Sequence, residues 1–366
     1  MLLALWLLLI SAVLIVYCYF LYPLMVIFLA RYFPKPVRKE AVRPVVTILI
    51  PAHNEGKIIR EKIENSLSLD YPRDRIEIIV VSDGSTDETA DIAREYGRRG
   101  VTTLAFRERR GKVASLIDAI PRTTGEILLF SDASGMLRPD ALYEMVSNFA
   151  DEEVGCVCGY YRSPGLAGVK KRGELLYWDY EFAIKRAESQ WETLLGATGA
   201  MYAVRRNLFI PPKIDTINDD FVIPALLVLG GHRTVLEERA VVDDTDPHMG
   251  AFGSRVRVAM GNWQQLVYLK KLLSPFRPRI CWIFLSHKLI RMLVPLLVLL
   301  AFVSLIVLLP FAAVCIGVIV LLAALPRKEE GGSLPLGALR KFFTGNVAGL
   351  CGMVLYVTGR GRVRWK

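Results

Sequence analysis

The sequence predicts an α/β fold, a mostly parallel sheet with helices on both faces, set between apolar segments long enough to cross a membrane. Three observations predict it. Short β-branched runs end in polar, carboxylate-bearing loops that lead into helical patterns, and this order repeats along the chain. Residues 2–30 carry no charge, and a second apolar block fills 289–325. Of the 366 residues 53% are hydrophobic and 22% charged, so the two classes must be segregated along the chain.

Residues 1–30 exceed the roughly 20 apolar residues that cross a bilayer. They lack the basic start, short apolar core and small-residue cleavage site of a signal peptide, so a retained anchor is expected. Arg31, Lys35, Arg38, Lys39 and Arg43 follow, and the positive-inside rule puts the next part, 31–266, in the cytoplasm. An interfacial linker helix is expected over 267–288. The block 289–325 contains Arg291, Pro295 and Pro310, is too long for one span and is basic on both flanks, which predicts a transmembrane hairpin. Residues 326–366 read as a cytosolic loop, a short apolar segment and a basic tail. Because Arg360, Arg362, Arg364 and Lys366 end that tail, re-entrant, interfacial and transmembrane placements of 342–358 all stay open.

A net charge of +10 would suit a nucleic-acid binder in a soluble protein, but here the basic residues crowd the membrane flanks. Membrane lipids, and no nucleic acid, are the expected partners. The cysteines form no C-x-x-C spacing, and Cys156 and Cys158 alternate as reduced thiols in a strand-like run.

Within the domain, 45–49 is a strand ending at Pro51, followed by a helix over 57–69. A second strand, 76–81, ends in Ser82-Asp83-Gly84-Ser85-Thr86-Asp87 and leads to a helix over 88–97, with Thr86 or Ser85 as its expected N-cap. A third, 127–130, ends in Ser131-Asp132-Ala133-Ser134. Ligands of such sheets bind at the carboxyl ends of the strands, so these acidic loops should converge on one edge. No G-x-G-x-x-G opens the first helix and no G-x-x-x-x-G-K-[ST] occurs, which argues against a dinucleotide oxidoreductase and a P-loop ATPase. Acidic loops without a glycine-rich cradle suit a pyrophosphate carried by a divalent cation.

Pro51-Ala52-His53-Asn54-Glu55, Ser82 to Asp87, Arg110-Gly111-Lys112, Ser131 to Ser134, Gly196-Ala197-Thr198-Gly199-Ala200 and Asn218-Asp219-Asp220-Phe221 follow one another in sequence. Taken in that order, over about residues 45–266, they resemble the motifs of family 2 glycosyltransferases with the GT-A fold. The flanking helices resemble its membrane-anchored bacterial-type branch. The resemblance implies that Pro51, Glu55 and Asp83 line a nucleoside pocket and that Lys112 sits near the diphosphate, a solvated lysine at a helix start being the plainer alternative. It implies that Asp132, first in the family's D-x-D motif, contacts the nucleotide and a Mg2+ or Mn2+ ion. Ser134 replaces the second carboxylate and is a weaker ligand for a hard cation. His248 is an added candidate ligand, or only a surface histidine.

Asp220 matches the family's general base, and its neighbour Asp219 supplies a like charge that would tune it; N-capping of the following helix is the competing role. The implied reaction is one in-line displacement with inversion. Trp178, with Tyr177, Tyr180 and Glu181, suits an acceptor sugar or a packed helix equally. Gly199 and Asp219 complete the acceptor expectation. Arg257 matches the arginine of the Q-x-x-R-W element of processive relatives and is expected at the diphosphate. Ser254 and Val258 replace its glutamine and tryptophan, which argues against a processive synthase. The expected function is transfer from a nucleotide diphosphate sugar, a UDP-sugar foremost, to a hydroxyl of a lipid-linked or cell-envelope saccharide at the inner membrane. The rivals are a processive polysaccharide synthase and an inactive membrane scaffold, the latter motivated by Ser134.

Overall fold

The computed structural model describes residues 1–162, 172–244, 252–310 and 334–360. The chain divides into two compact units, one formed by Met1–Phe33, Leu166–Ala187 and His248–Arg362, the other by Pro34–Gly165 and Glu188–Pro247.

In the first unit, Leu2–Val16 (α1) and Tyr22–Tyr32 (α2) join through a π-helical turn, Tyr17–Leu21, into one apolar helix of 31 residues. A second apolar helix of 31 residues, Pro278–Leu308, is built the same way from Pro278–Ile283 (α10), a π-helical turn and Ile290–Leu308 (α11). It begins inside the stretch expected as a linker. Both exceed the length needed for a hydrocarbon core about 30 Å thick. They expose Leu3, Trp6, Phe20, Leu24, Leu299, Val303 and Val307, a surface that fits lipid better than water.

An arginine in such a helix is tolerated where it is paired. Arg291 is answered by Arg172–Trp191 (α7): it pairs with Glu181 and donates to the Tyr180 hydroxyl at 3.0 Å, while Tyr180 donates to the Tyr19 carbonyl at 2.7 Å. His287 lies 3.3 Å from the same Glu181.

The 342–358 stretch, apart from its last residue, falls in a longer helix, Leu334–Val357 (α12), which packs on Phe252–Tyr268 (α9) and on α11. Small residues set that approach. A Cβ on Gly352 would stand 2.7 Å from the Ala259 Cβ, and one on Gly349 2.6 Å from Pro295. The second arm expected for the hairpin, 311–325, and the basic tail beyond 360 lie outside the described residues.

The second unit is built on an eight-stranded sheet. Val46–Ala52 (β1) and Ile76–Asp83 (β2) are β-branched and largely buried, as strands covered on both faces must be. They pair in parallel from Val46↔Ile76 to Ala52↔Ser82. Val101–Phe106 (β3) and Ile127–Phe130 (β4) extend this parallel half. Gly135–Leu137 (β5), Val154–Arg162 (β6), Tyr202–Arg205 (β7) and Arg233–Asp244 (β8) complete the order β3-β2-β1-β4-β7-β6-β8-β5. β7 runs antiparallel to both β4 and β6, so the sheet is mixed beyond β4.

Ile59–Leu67 (α3), Thr89–Glu95 (α4), Lys112–Ala119 (α5), Ala141–Ser147 (α6) and Asp219–Leu229 (α8) belong to this unit. The core joins Leu49, Val81, Leu116, Phe130, Tyr202 and Ile223, with Cys156 and Cys158 inside it as fully buried free thiols. The expected N-cap of α4 is corrected: the helix starts at Thr89 after Glu88. Ser85 and Thr86 bond Ser82 and Asn54 instead, because the preceding loop offers them closer partners.

Candidate active site

The carboxyl ends of β1, β2 and β4 form one rim. Pro51 is compatible with a central strand because the β1–β4 ladder ends at Leu49↔Phe130, so its missing N–H has no partner to lose. Past β1 the chain turns at Asn54, which adopts φ +56° and accepts from the Thr86 amide at 2.8 Å. The Glu55 amide donates to Thr89 Oγ1 at 2.8 Å, and the Gly56 amide to Asp87 at 2.9 Å. The first two acidic loops are thereby laced together.

Asp83 closes β2 and is 1% exposed. Its two oxygens accept the backbone amides of Arg110 at 2.8 Å and Gly111 at 2.7 Å, so the carboxylate shapes the turn that precedes Lys112. Gly84 is required beside it. Its φ is +60°, and a Cβ there would stand 2.4 Å from the Arg109 amide nitrogen.

Gly111, at φ +98°, starts α5, and Lys112 is the first residue of that helix. Its ammonium lies 2.9 Å from Asp132 Oδ1 and 3.2 Å from Asp219 Oδ2. Burial alone would depress Lys112, but the Asp132, Asp219 and Asp220 carboxylates outweigh it and raise the lysine above its ordinary value. It is therefore charged at neutral pH. The Tyr202 hydroxyl donates to Asp219 Oδ2 at 3.3 Å and stacks on Phe130 at 4.8 Å; burial first, then Asp219 and Asp220, push this phenol well up. At the mouth, a Cβ on Gly199 would lie 3.4 Å from Asp132 Oδ2 and 3.5 Å from Asp220 Oδ2. Two carboxylates thus approach the same side of Gly199.

Asp132, Lys112, Asp219, Asp220 and Gly199 therefore meet, with Asp83 behind them. Pro51 is buried in β1, and Glu55 is half-buried in the loop after it. Asp219, expected at the acceptor, is 5% exposed and its carboxylate is occupied by Lys112 and Tyr202, which gives it an interior role. Asn218 is the N-cap residue of α8; Asp219 and Asp220 form its first turn, where the helix dipole favours negative charge. Ser134 is half-buried in the Asp132 turn. Trp178 and Arg257 belong to the other unit, and His248 falls outside the described residues. Sequence reasoning missed Tyr202 and Lys62; for Lys62 the signal was a lysine at the core-facing positions of α3, with Ile59, Ile63 and Ser66.

No group of three His, Cys, Asp or Glu side chains arranged to hold a metal occurs among the described residues. A Mg2+ or Mn2+ ion still fits the donor set. Such ions are held by one or two carboxylates together with substrate phosphates. Lys112 brings one positive charge to three surrounding carboxylates, two of which it contacts directly, and such an acidic setting is compatible with a divalent cation.

Residues 47–210, under half of the chain, match the family model of Glycosyl transferase family 2. A probable glycosyltransferase of Bacillus subtilis is 29% identical over 186 residues, 49% of this chain and 44% of that one. A beta-monoglucosyldiacylglycerol synthase of Nostoc is 33% identical over 131 residues, covering 35% of this chain and 28% of that one. A poly-beta-1,6-N-acetyl-D-glucosamine synthase of Staphylococcus aureus is 28% identical over 235 residues, covering 61% and 55%. The chain thus spans about half or less of the length of these curated relatives. Among solved structures, a mannosyltransferase from Pyrobaculum calidifontis in complex with GDP-Man and Mn2+ superposes with a TM-score of 0.75 at 25% identity, over 97% of this chain and 100% of that one. The order of strands, the carboxylate rim and these matches agree: residues 47–210 carry a glycosyltransferase family 2 domain, and the fold is shared with the solved mannosyltransferase.

Proposed function

We propose that this protein transfers a sugar from a nucleotide diphosphate sugar to a hydroxyl of a lipid-linked or cell-envelope saccharide, with inversion, at the cytoplasmic face of a membrane. The observation that carries the reading is the meeting of Asp132 and Asp220 at Gly199, beside the buried Lys112. Asp132 and the donor's phosphate oxygens would hold a Mg2+ or Mn2+ ion, which when bound neutralises charge on the leaving diphosphate. Lys112 adds a fixed positive charge at the same place without reorganising. Asp220, half-exposed at the start of α8, takes the proton from the acceptor hydroxyl as the anomeric carbon–oxygen bond to the diphosphate breaks. Asp83 shapes the nucleoside end through the Arg110–Gly111 turn.

The solved mannosyltransferase was captured with GDP-Man, so guanosine donors stand beside uridine donors as candidates. The basic run from Arg31 to Arg43 supports the cytoplasmic placement. The test is nucleotide release from a panel of UDP-, GDP- and dTDP-sugars by wild type and Asp220→Asn. We expect turnover to fall about 100- to 10,000-fold with nucleotide binding retained. Equal turnover would remove Asp220 from the base role.

A further inference from the structure

Lys62 is fully buried on the inner face of α3. A buried ammonium is costly unless acceptors answer its donors. Its Nζ donates to Ser131 Oγ at 2.7 Å and to the Gly135 carbonyl. Those acceptors are the two ends of the turn that holds Asp132, and the Gly135 amide closes the turn on the Asp132 carbonyl at 3.1 Å. In both of these bonds the lysine is the donor. The Ser131 hydroxyl therefore accepts from it and gives its own proton to the Ala200 carbonyl, 3.0 Å away. Ala200 follows Gly199, the residue on which Asp132 and Asp220 converge. One side chain from α3 thus joins the end of β4, the Asp132 turn, the start of β5 and the Gly199–Ala200 turn.

We propose that Lys62 is a positioning residue of the donor site, fixing the Asp132 turn against the Gly199 turn before the nucleotide sugar arrives. An unbranched apolar side chain of similar length would fill the same space without the desolvation penalty of a charge. What the ammonium adds is a set of directed donors, and each of its named bonds constrains the turn that bears Asp132. This inference rests on the transferase reading, so its test must separate the two.

The experiment uses the full chain in detergent and compares wild type, Lys62→Met, Ser131→Ala, the double variant and Tyr71→Phe. Tyr71 donates to the Pro44 carbonyl at 2.7 Å, away from the acidic loops, and its variant controls for simple loss of stability. Donor KM, kcat, the Mn2+ concentration for half-maximal rate and Tm are measured with the best donor of the UDP-, GDP- and dTDP-sugar panel. For Lys62→Met we expect a loss of about 10- to 100-fold in donor kcat/KM and a higher Mn2+ requirement, as for groups that orient a metal ligand from behind. Ser131→Ala should lose less in the same two quantities, and the double variant no more than Lys62→Met alone. Tyr71→Phe should lower Tm while leaving kcat/KM and the Mn2+ requirement unchanged.

Wild-type kcat/KM in both single variants overturns the positioning role. If Lys62→Met fails to fold, Ser131→Ala alone decides, and wild-type values there overturn it. A wild-type protein that releases no nucleotide from any donor overturns the transferase reading and this inference together, whereas an active wild type with unaffected variants overturns this inference only.

Discussion

At Gly199 the site is most sensitive to a single atom. Its φ is not in the left-handed region, and an added methyl would meet only ordinary contacts, at 3.4 Å and 3.5 Å from the Asp132 and Asp220 oxygens. Gly199→Ala should therefore fold as well as wild type or slightly better, since alanine loses less chain entropy on folding. The methyl would nonetheless occupy the gap that donor and acceptor must share. We expect an unchanged or raised Tm with at least about a tenfold loss of kcat/KM, because small displacements at reacting centres are costly. A lowered Tm with normal turnover would contradict this. The sequence placed Asp132, Asp220, Lys112 and Gly199 in their motifs because each sits at an element end, where turn chemistry is local. It could not show that Asp219 turns inward, since that depends on Tyr202 from a strand 17 residues away, nor that Lys62 is buried, since that depends on packing beneath the Asp132 turn.

Among the elements, the strand–loop–helix units of β1, β2 and β4 were legible, because β-branched runs ending in polar loops mark buried parallel strands. The mixed half of the sheet was not. β7 and β5 have 4 and 3 residues, too short for a periodicity, and their antiparallel pairing is set by tertiary contacts. The loop between β3 and α5 depends on Gly84 as much as on its own residues. Gly84→Ala should destabilise the domain by about 2 kcal/mol or more, from the left-handed conformation and the contact with Arg109. It should also release the Arg110–Gly111 turn from Asp83, which a thermal melt and a nucleotide titration read together. Unchanged Tm and unchanged affinity would show that the loop is held elsewhere.

For the whole molecule, the two long apolar helices answer the uncharged run at the amino terminus and the block near 289, and the polar cluster around Arg291 explains how a charge persists in the second of them. Burial would raise the Glu181 carboxyl, but hydrogen bonding to His287 and the charges of His287 and Arg291 outweigh it and hold it well below the usual range. A depressed carboxylate stabilises the fold above its unfolded value, and that contribution is lost only as pH falls through the lower, folded value. The contribution of the Glu181 carboxylate's own ionisation should thus be lost only in strong acid. Glu181→Gln should cost about 3–5 kcal/mol by leaving Arg291 buried without its counter-charge, seen as a lower Tm in detergent. A Tm equal to wild type would show that the pair contributes nothing. The most direct test of the account is calorimetric titration of wild type and Asp132→Asn with UDP, GDP and dTDP, with and without Mn2+. The account predicts that one nucleotide diphosphate binds at least about tenfold more tightly with Mn2+, and that Asp132→Asn loses this gain. Binding of equal strength with and without the cation, or none of any nucleotide, would contradict it.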